Sequence, residues 1–168
     1  MYAKILVPVD GSPTSDAGLV EAIRLARMSG GSVRLLHIAD GLPYLPESAT
    51  YGVVLPDTTK AALEHGSELL ERCRAQVAAA GVAVVTSLVE GRGKHLEDFV
   101  AEQVQAGNAD VVVLGTHGRR GISRVLLGSD AEQVVRKTTV PVLLVRHSSD
   151  AATGDDPVAA GTAQVASA

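Results

Sequence analysis

With 168 residues, 46% of them hydrophobic, the chain is sized for one domain with a substantial core. Only four aromatic side chains are present, Tyr2, Tyr44, Tyr51 and Phe99, so the core must be built from Val, Leu, Ile and Ala, the palette of parallel strands covered by helices on both faces. A formal charge of −4 and the scarcity of rings argue against nucleic-acid binding, which needs a basic surface or stacking platforms. The single cysteine, Cys73, excludes an intrachain disulfide framework and a four-cysteine zinc site. The opening Met1-Tyr2-Ala3-Lys4-Ile5 lacks a signal-peptide pattern, and no apolar run approaches the roughly 20 residues needed to span a bilayer. The expectation is a cytoplasmic protein without membrane contacts.

The first apolar run, Ile5 to Val9, predicts a strand. A helix should follow, with Ser12 as N-cap and Pro13 at its first position, Leu19, Ala22, Ile23 and Ala26 on its inner face, and Gly30-Gly31 at its end. The second strand is expected over Val33 to Ile38. The stretch Ala39 to Pro56, with three prolines and two tyrosines, is long for a connection and suggests a lid, a partner surface or simple disorder. A second helix from about Asp57 carries the stripe Ala62, Gly66, Leu69, Leu70, Cys73, Val77 and Ala80, and Gly81 stops it. The third strand, Val82 to Val89, leads through Glu90-Gly91-Arg92-Gly93 to a third helix over about Lys94 to Ala106, with Leu96, Phe99, Val100 and Val104 inward. The fourth strand is Asp110 to Leu114. A fourth helix starts near Gly128-Ser129 and packs through Ala131, Val134 and Val135, and the fifth strand is Val140 to Val145. Residues 148–168 hold few large apolar side chains and read as a flexible tail behind a domain of residues 1–147. This alternation predicts an α/β fold, an open twisted parallel sheet with helices on both faces, Rossmann-like. Ligands of such sheets sit beyond the carboxyl ends of the strands, which directs attention to the loops after strands one, two and four.

Strand four runs into Gly115-Thr116-His117-Gly118-Arg119-Arg120-Gly121, and Gly128-Ser129 opens helix four, so the spacing is Gly-x2-Gly-x9-Gly-Ser. Glycines let the backbone approach a ligand, successive N–H groups form an anion nest, and the helix adds its own unpaired N–H groups. Such a frame holds a triphosphate without a dedicated lysine. Each glycine by itself is equally explained as loop punctuation. At the end of strand one, Pro8-Val9-Asp10 places a carboxylate where it either accepts from ribose hydroxyls and an adenine amino group or caps its own loop.

Lys4-Ile5-Leu6-Val7-Pro8-Val9-Asp10-Gly11-Ser12 resembles the opening of a universal stress protein, and Leu35-Leu36-His37-Ile38 resembles that family's second strand. Gly115-Thr116-His117-Gly118 with Gly128-Ser129, and Val140-Pro141-Val142-Leu143-Leu144-Val145, resemble its ATP motif and last strand. The resemblance runs from about residue 2 to 147. It implies five strands in the order 3-2-1-4-5 and ATP, with or without Mg²⁺, as the ligand. Adenine would lie near Pro8, Val9 and Ile38, with Asp10 facing the nucleoside. Residues Gly115, Thr116, His117, Gly118 and Arg119, together with Gly128, Ser129 and Asp130, would hold ribose and phosphates. It also implies a homodimer paired through Val142 to Val145, since an uncovered apolar edge strand invites association.

Asp130 departs from the small or apolar residue usual there: it repels phosphate if it points inward, recruits Mg²⁺ between itself and the phosphates, or faces solvent. His117 is a phosphate donor, a general acid or an exposed loop residue, and Arg119, Arg120 and Arg124 either steer nucleotide or form a solvated stretch. Cys73 reads as a core thiol, and His37, His65, His95 and His147 show no metal spacing. Walker, dinucleotide and nucleophile-elbow motifs are absent. No catalytic or metal-ligating residue is assigned. The expected function is nucleotide-dependent regulation in a stress response, through a protein partner that the sequence does not name. The alternatives are a weak ATP hydrolase or nucleotidyl transferase, and a dimeric interaction module with a vestigial pocket.

Overall fold

Apolar residues at alternate positions decide the layers. A computed structural model describes residues 2–40, 58–116 and 128–146. Its elements are β1 (Lys4–Pro8), α1 (Pro13–Ser29), β2 (Ser32–Ala39), α2 (Thr58–Ala79), β3 (Ala83–Glu90), α3 (Leu96–Gln105), β4 (Val111–Gly115), α4 (Ser129–Lys137) and β5 (Val142–Val145). The five strands form one parallel sheet in the order β3-β2-β1-β4-β5, as expected. Ile5, Val7, Val33, Leu35, Val111 and Val113 point to one side and pack with Leu19, Ala22 and Ala26 of α1 and Leu69, Leu70, Cys73 and Val77 of α2. Leu6, Leu36, Val112 and Leu114 point to the other side and pack with Phe99 and Val100 of α3 and Ala131 and Val134 of α4. Period-two alternation in the strands thus meets period-3.6 stripes in the helices on both faces.

Local chemistry sets the helix ends. Ser12 caps α1 by accepting from the Ser15 N–H at 3.2 Å, Pro13 follows it, and Gly30 closes the helix in the left-handed conformation. Helix α3 begins two residues later than expected, because the His95 N–H donates to Asp98 Oδ2 at 3.1 Å and fixes His95 as the N-cap. Lys137 of α4 pairs with Asp98. That ammonium first, and the His95 N–H second, hold the Asp98 carboxyl below its usual range and tie α4 to α3. Cys73 is buried, and desolvation first, with the Asp16 charge second, pushes its thiol up, so it is a packing residue and not a thiolate.

Two expectations change. Val135 does not pack inward: it is 43% exposed, because Ala131 and Val134 fill the inner stripe and Val135 lies about 100° further round the helix. Strand β3 is not buried on both faces. Among the described residues it is an edge strand paired only with β2, and its Val85 is 49% exposed. Among the described residues no helix is long and apolar enough to cross a membrane. The expected lid over Ala39 to Pro56 and the tail over residues 148–168 fall, but for Ala39 and Asp40, outside the described residues.

Strand β4 starts one residue later than its apolar run suggests because Asp110 serves the chain's opening segment. Its carboxylate accepts the Ala3 N–H at 3.0 Å and the Lys4 N–H at 2.8 Å, while its own N–H donates to the Lys4 carbonyl at 3.0 Å. Replacing Asp110 with Ala removes two charge-assisted bonds, and we expect it to lower unfolding stability by about 2 kcal/mol in urea denaturation. An unchanged midpoint would show that this clamp contributes nothing.

Candidate functional site

Strand β1 lies between β2 and β4, so the chain's crossovers leave it in opposite directions and open a crevice beyond its carboxyl end. One wall is the loop from Pro8 to Ser12. The Val9 N–H donates to the Leu36 carbonyl at 2.8 Å, and the Val9 carbonyl accepts from His37 Nδ1 at 2.7 Å. Since a carbonyl cannot donate, Nδ1 carries the proton there. The Asp10 N–H donates to Ser15 Oγ at 3.2 Å, and Asp10 Oδ1 accepts the Ser12 N–H at 2.9 Å. Gly11 turns the chain at φ +77, a conformation that only glycine adopts readily. Of the two sequence readings of Asp10, the loop cap is therefore made through one oxygen, and the residue stands half-buried at the crevice.

The other wall is the end of β4 and the start of α4. The Thr116 N–H donates to the Val145 carbonyl at 2.9 Å, and its own carbonyl accepts the Gly128 N–H at 2.8 Å. The two ends of the intervening segment are thereby joined, although His117, Gly118 and Arg119 themselves lie outside the described residues. Gly128 is the N-cap of α4 and brings no side chain to its first turn. Ser129 and Asp130 are exposed there, with Ser129 Oγ donating to Asp130 Oδ1 at 3.3 Å. Asp130 and Glu132 sit in the first turn and Arg136 and Lys137 in the last, the arrangement that suits the helix dipole.

Gly115 has a second reason to be glycine. A Cβ on it would lie 2.6 Å from the Thr14 carbonyl oxygen and 2.7 Å from the carbonyl carbon, so the first turn of α1 rests directly on the end of β4. Gly18, one turn on, repeats the approach, its own Cβ position being 3.3 Å from the Gly115 nitrogen.

The Val9 and Ile38 side chains, both expected near the base, belong to different layers. The Val9 side chain is buried in the layer of α1 and α2, whereas Ile38 is half-buried and packs toward α3 and α4. Pro8 is half-buried at the end of β1. The Glu90 to Gly93 turn closes on itself through the Lys94 N–H to the Gly91 carbonyl at 2.8 Å, with Arg92 at φ +44 and its guanidinium paired to Glu90. Ser15 and His37, which hold the Asp10 loop, were not singled out from sequence as site residues. The signal for His37 was there: it continues the inward stripe of Val33 and Leu35, where a titratable group must have a partner.

Residues 1–146 match the model of the universal stress protein family. Universal stress protein MJ0531 of Methanocaldococcus jannaschii is 30% identical over 148 residues, covering 87% of this chain and 83% of that protein. Universal stress protein UspA from Lactobacillus plantarum superposes with a TM-score of 0.73 at 25% identity, covering 86% of this chain and 98% of its own. A universal stress protein solved in complex with cAMP gives a TM-score of 0.57 at 25% identity over 86% of this chain and 97% of its own.

A side chain at Gly115 should be felt by the fold itself. Gly115→Ala forces backbone against backbone and should lower stability by about 1–3 kcal/mol with no ligand present. Thermal and urea denaturation of the purified variant check this, and a stability equal to the parent would mean that α1 does not rest on β4 as described.

Proposed function

Because this chain belongs to the universal stress protein family, we propose that it binds an adenine nucleotide, ATP above all, and acts by presenting the bound state to a protein partner rather than by turning the nucleotide over. The observation that carries this reading is the hydrogen bond from the Gly128 N–H to the Thr116 carbonyl, which draws the end of β4 and the first turn of α4 to one place. The cAMP held by a structural relative supports an adenine ligand. In this reading the Ile38 main chain reads the base edge over Pro8 and Val9, and Asp10 receives the ribose hydroxyls. The Gly115 to Gly121 loop, including Thr116, His117, Gly118 and Arg119, and the Gly128-Ser129 turn take the phosphates. Mg²⁺ beside Asp130 is the ion that would let that carboxylate and the phosphates share the mouth of the site. Binding is favoured over turnover because Asp10 already accepts the Ser12 N–H through one oxygen and is directed to the nucleoside, away from a water in line with a phosphate. The single cysteine suits a cytoplasmic setting.

The test is mass spectrometry of nucleotide released on denaturing the native protein, with calorimetric titration of ATP, ADP, AMP and cAMP. The backbone of Gly128, at φ −59 and ψ 146, accepts any side chain. Gly128→Val should therefore keep the fold while weakening ATP by at least about 30-fold, equivalent to ~2 kcal/mol. Unchanged affinity removes the site. Sustained Mg²⁺-dependent turnover that Asp10→Ala abolishes would replace the regulatory reading with an enzymatic one.

The same proposal includes a homodimer. Among the described residues strand β5 pairs only with β4, and Leu143 on it is exposed, which edge pairing through Val142 to Val145 would cover. Light scattering at micromolar concentration should give twice the chain mass, and Leu143→Lys should give the chain mass. A parent protein already monomeric there ends the edge-pairing idea.

A further inference from the structure

The Val9–Asp10 peptide is gripped at both ends by buried side chains of two other elements. Its carbonyl accepts from His37 Nδ1 on β2 at 2.7 Å, and its N–H donates to Ser15 Oγ on α1 at 3.2 Å. His37 is 5% and Ser15 6% exposed. With carbonyl and N–H both held, the peptide plane cannot rotate and the Cα that follows, which lies in that plane, is placed, while the bond from the Ser12 N–H to Asp10 Oδ1 at 2.9 Å restrains the side chain it carries. That side chain is Asp10.

The surroundings of His37 show a place shaped for an imidazole. Helix α2 passes over the ring at Gly66, where a Cβ would come 2.6 Å from Cδ2 and 3.1 Å from Nε2 of His37, and 2.8 Å from Leu88 Cδ1 of β3. Glycine is among the poorest helix formers, yet it stands in the middle of a 22-residue helix, where the ring needs the space. An apolar side chain at position 37 would fill this pocket equally well, but it would leave the Val9 carbonyl without its donor.

We infer that His37 is a positioning residue for the candidate site, acting through the Val9–Asp10 peptide, together with Ser15, to aim the Asp10 carboxylate at the ligand. This rests on the nucleotide reading above for what Asp10 meets, though not for how Asp10 is held.

The test compares His37→Leu, His37→Asn and Ser15→Ala in the full chain, with ATP as the probe. Asparagine can place an N–H near the position of Nδ1, whereas leucine cannot. We expect His37→Leu to weaken ATP by about tenfold with native circular dichroism, and His37→Asn to recover affinity to within about threefold of the parent. Ser15→Ala should weaken ATP in the same direction. The His37→Leu, Ser15→Ala double variant should lose less than the sum of the two effects, since both hold one peptide. Amide exchange at Asp10 and Ser12 should accelerate in His37→Leu and return toward the parent in His37→Asn. A purely structural histidine would give equal affinities in the folded leucine and asparagine variants, and that result overturns the inference, as does unaltered exchange at Asp10. If His37→Leu fails to fold, Ser15→Ala and His37→Asn decide: affinity and Asp10 exchange both unchanged in Ser15→Ala would refute it. A parent protein that binds no adenine nucleotide defeats the reading of the site, and amide exchange alone then decides how Asp10 is held.

Discussion

Backbone rests on backbone where α1 crosses the end of β4, and the geometry of the crevice depends on that contact. The Thr14 backbone and Gly18 of α1 come directly against Gly115, which has no side chain to hold them off. A helix normally packs on a sheet through the side chains that lie between them. Here the removal of Cβ at two positions lets the first turn of α1 descend onto the strand. That descent brings the capped start of α1, the Asp10 loop and the Thr116 corner into one neighbourhood. Thr116 then passes the constraint on, with one hydrogen bond to β5 and one from α4.

Two helices begin at this end of the sheet, and they begin differently. The start of α1 is closed by the protein itself: Ser12 Oγ accepts the Ser15 N–H and also contacts Thr14 Oγ1 at 3.1 Å. The start of α4 has a glycine N-cap, which supplies no such oxygen. A helix start leaves its first N–H groups in need of acceptors, so an anion has something to satisfy at α4 that it lacks at α1. In the proposed reading this difference suits a ligand that lies with its nucleoside end at Asp10 and its phosphates toward α4. It also gives Ser12 and Ser129 distinct roles although both begin helices, the first as an internal cap and the second as an exposed hydroxyl.

Much of this was legible in the sequence because it depends on near-neighbour rules. The alternation of Ile5, Leu6 and Val7 gave the sheet two buried faces, Ser12-Pro13 gave the start of α1, and Gly30 its end. What escaped reading depends on contacts distant along the chain. Asp110 is drawn out of the strand pattern by N–H groups more than a hundred residues away. Val135 is apolar and next to an inward residue, and only the width of the inner face of α4 places it outside. Gly115 was read as a glycine for phosphate, but its closest reason is the Thr14 carbonyl. His37 is one of five histidines scattered along the chain, and only the fold brings its Nδ1 to the Val9 carbonyl.

The charge distribution bears on how an anion would be held. The chain carries a formal −4, and the described mouth of the crevice carries Asp10, Asp130 and Glu132. The nearest described cations on α4, Arg136 and Lys137, are bound at its far end to Glu132 and Asp98. Long-range attraction from this part of the surface is therefore small, and screening at a Debye length of about 8 Å reduces it further at physiological salt. Peptide N–H groups act differently, because they are short-ranged and fixed, and need little reorganisation when an acceptor arrives. A site that relies on them selects by fit more than by charge, and it discriminates among nucleotides according to how many phosphate oxygens reach the N–H groups. This is why, in the proposed reading, the aim of Asp10 matters as much as the glycines do: the nucleoside end has to be gripped in the right place before the phosphate end can find its donors.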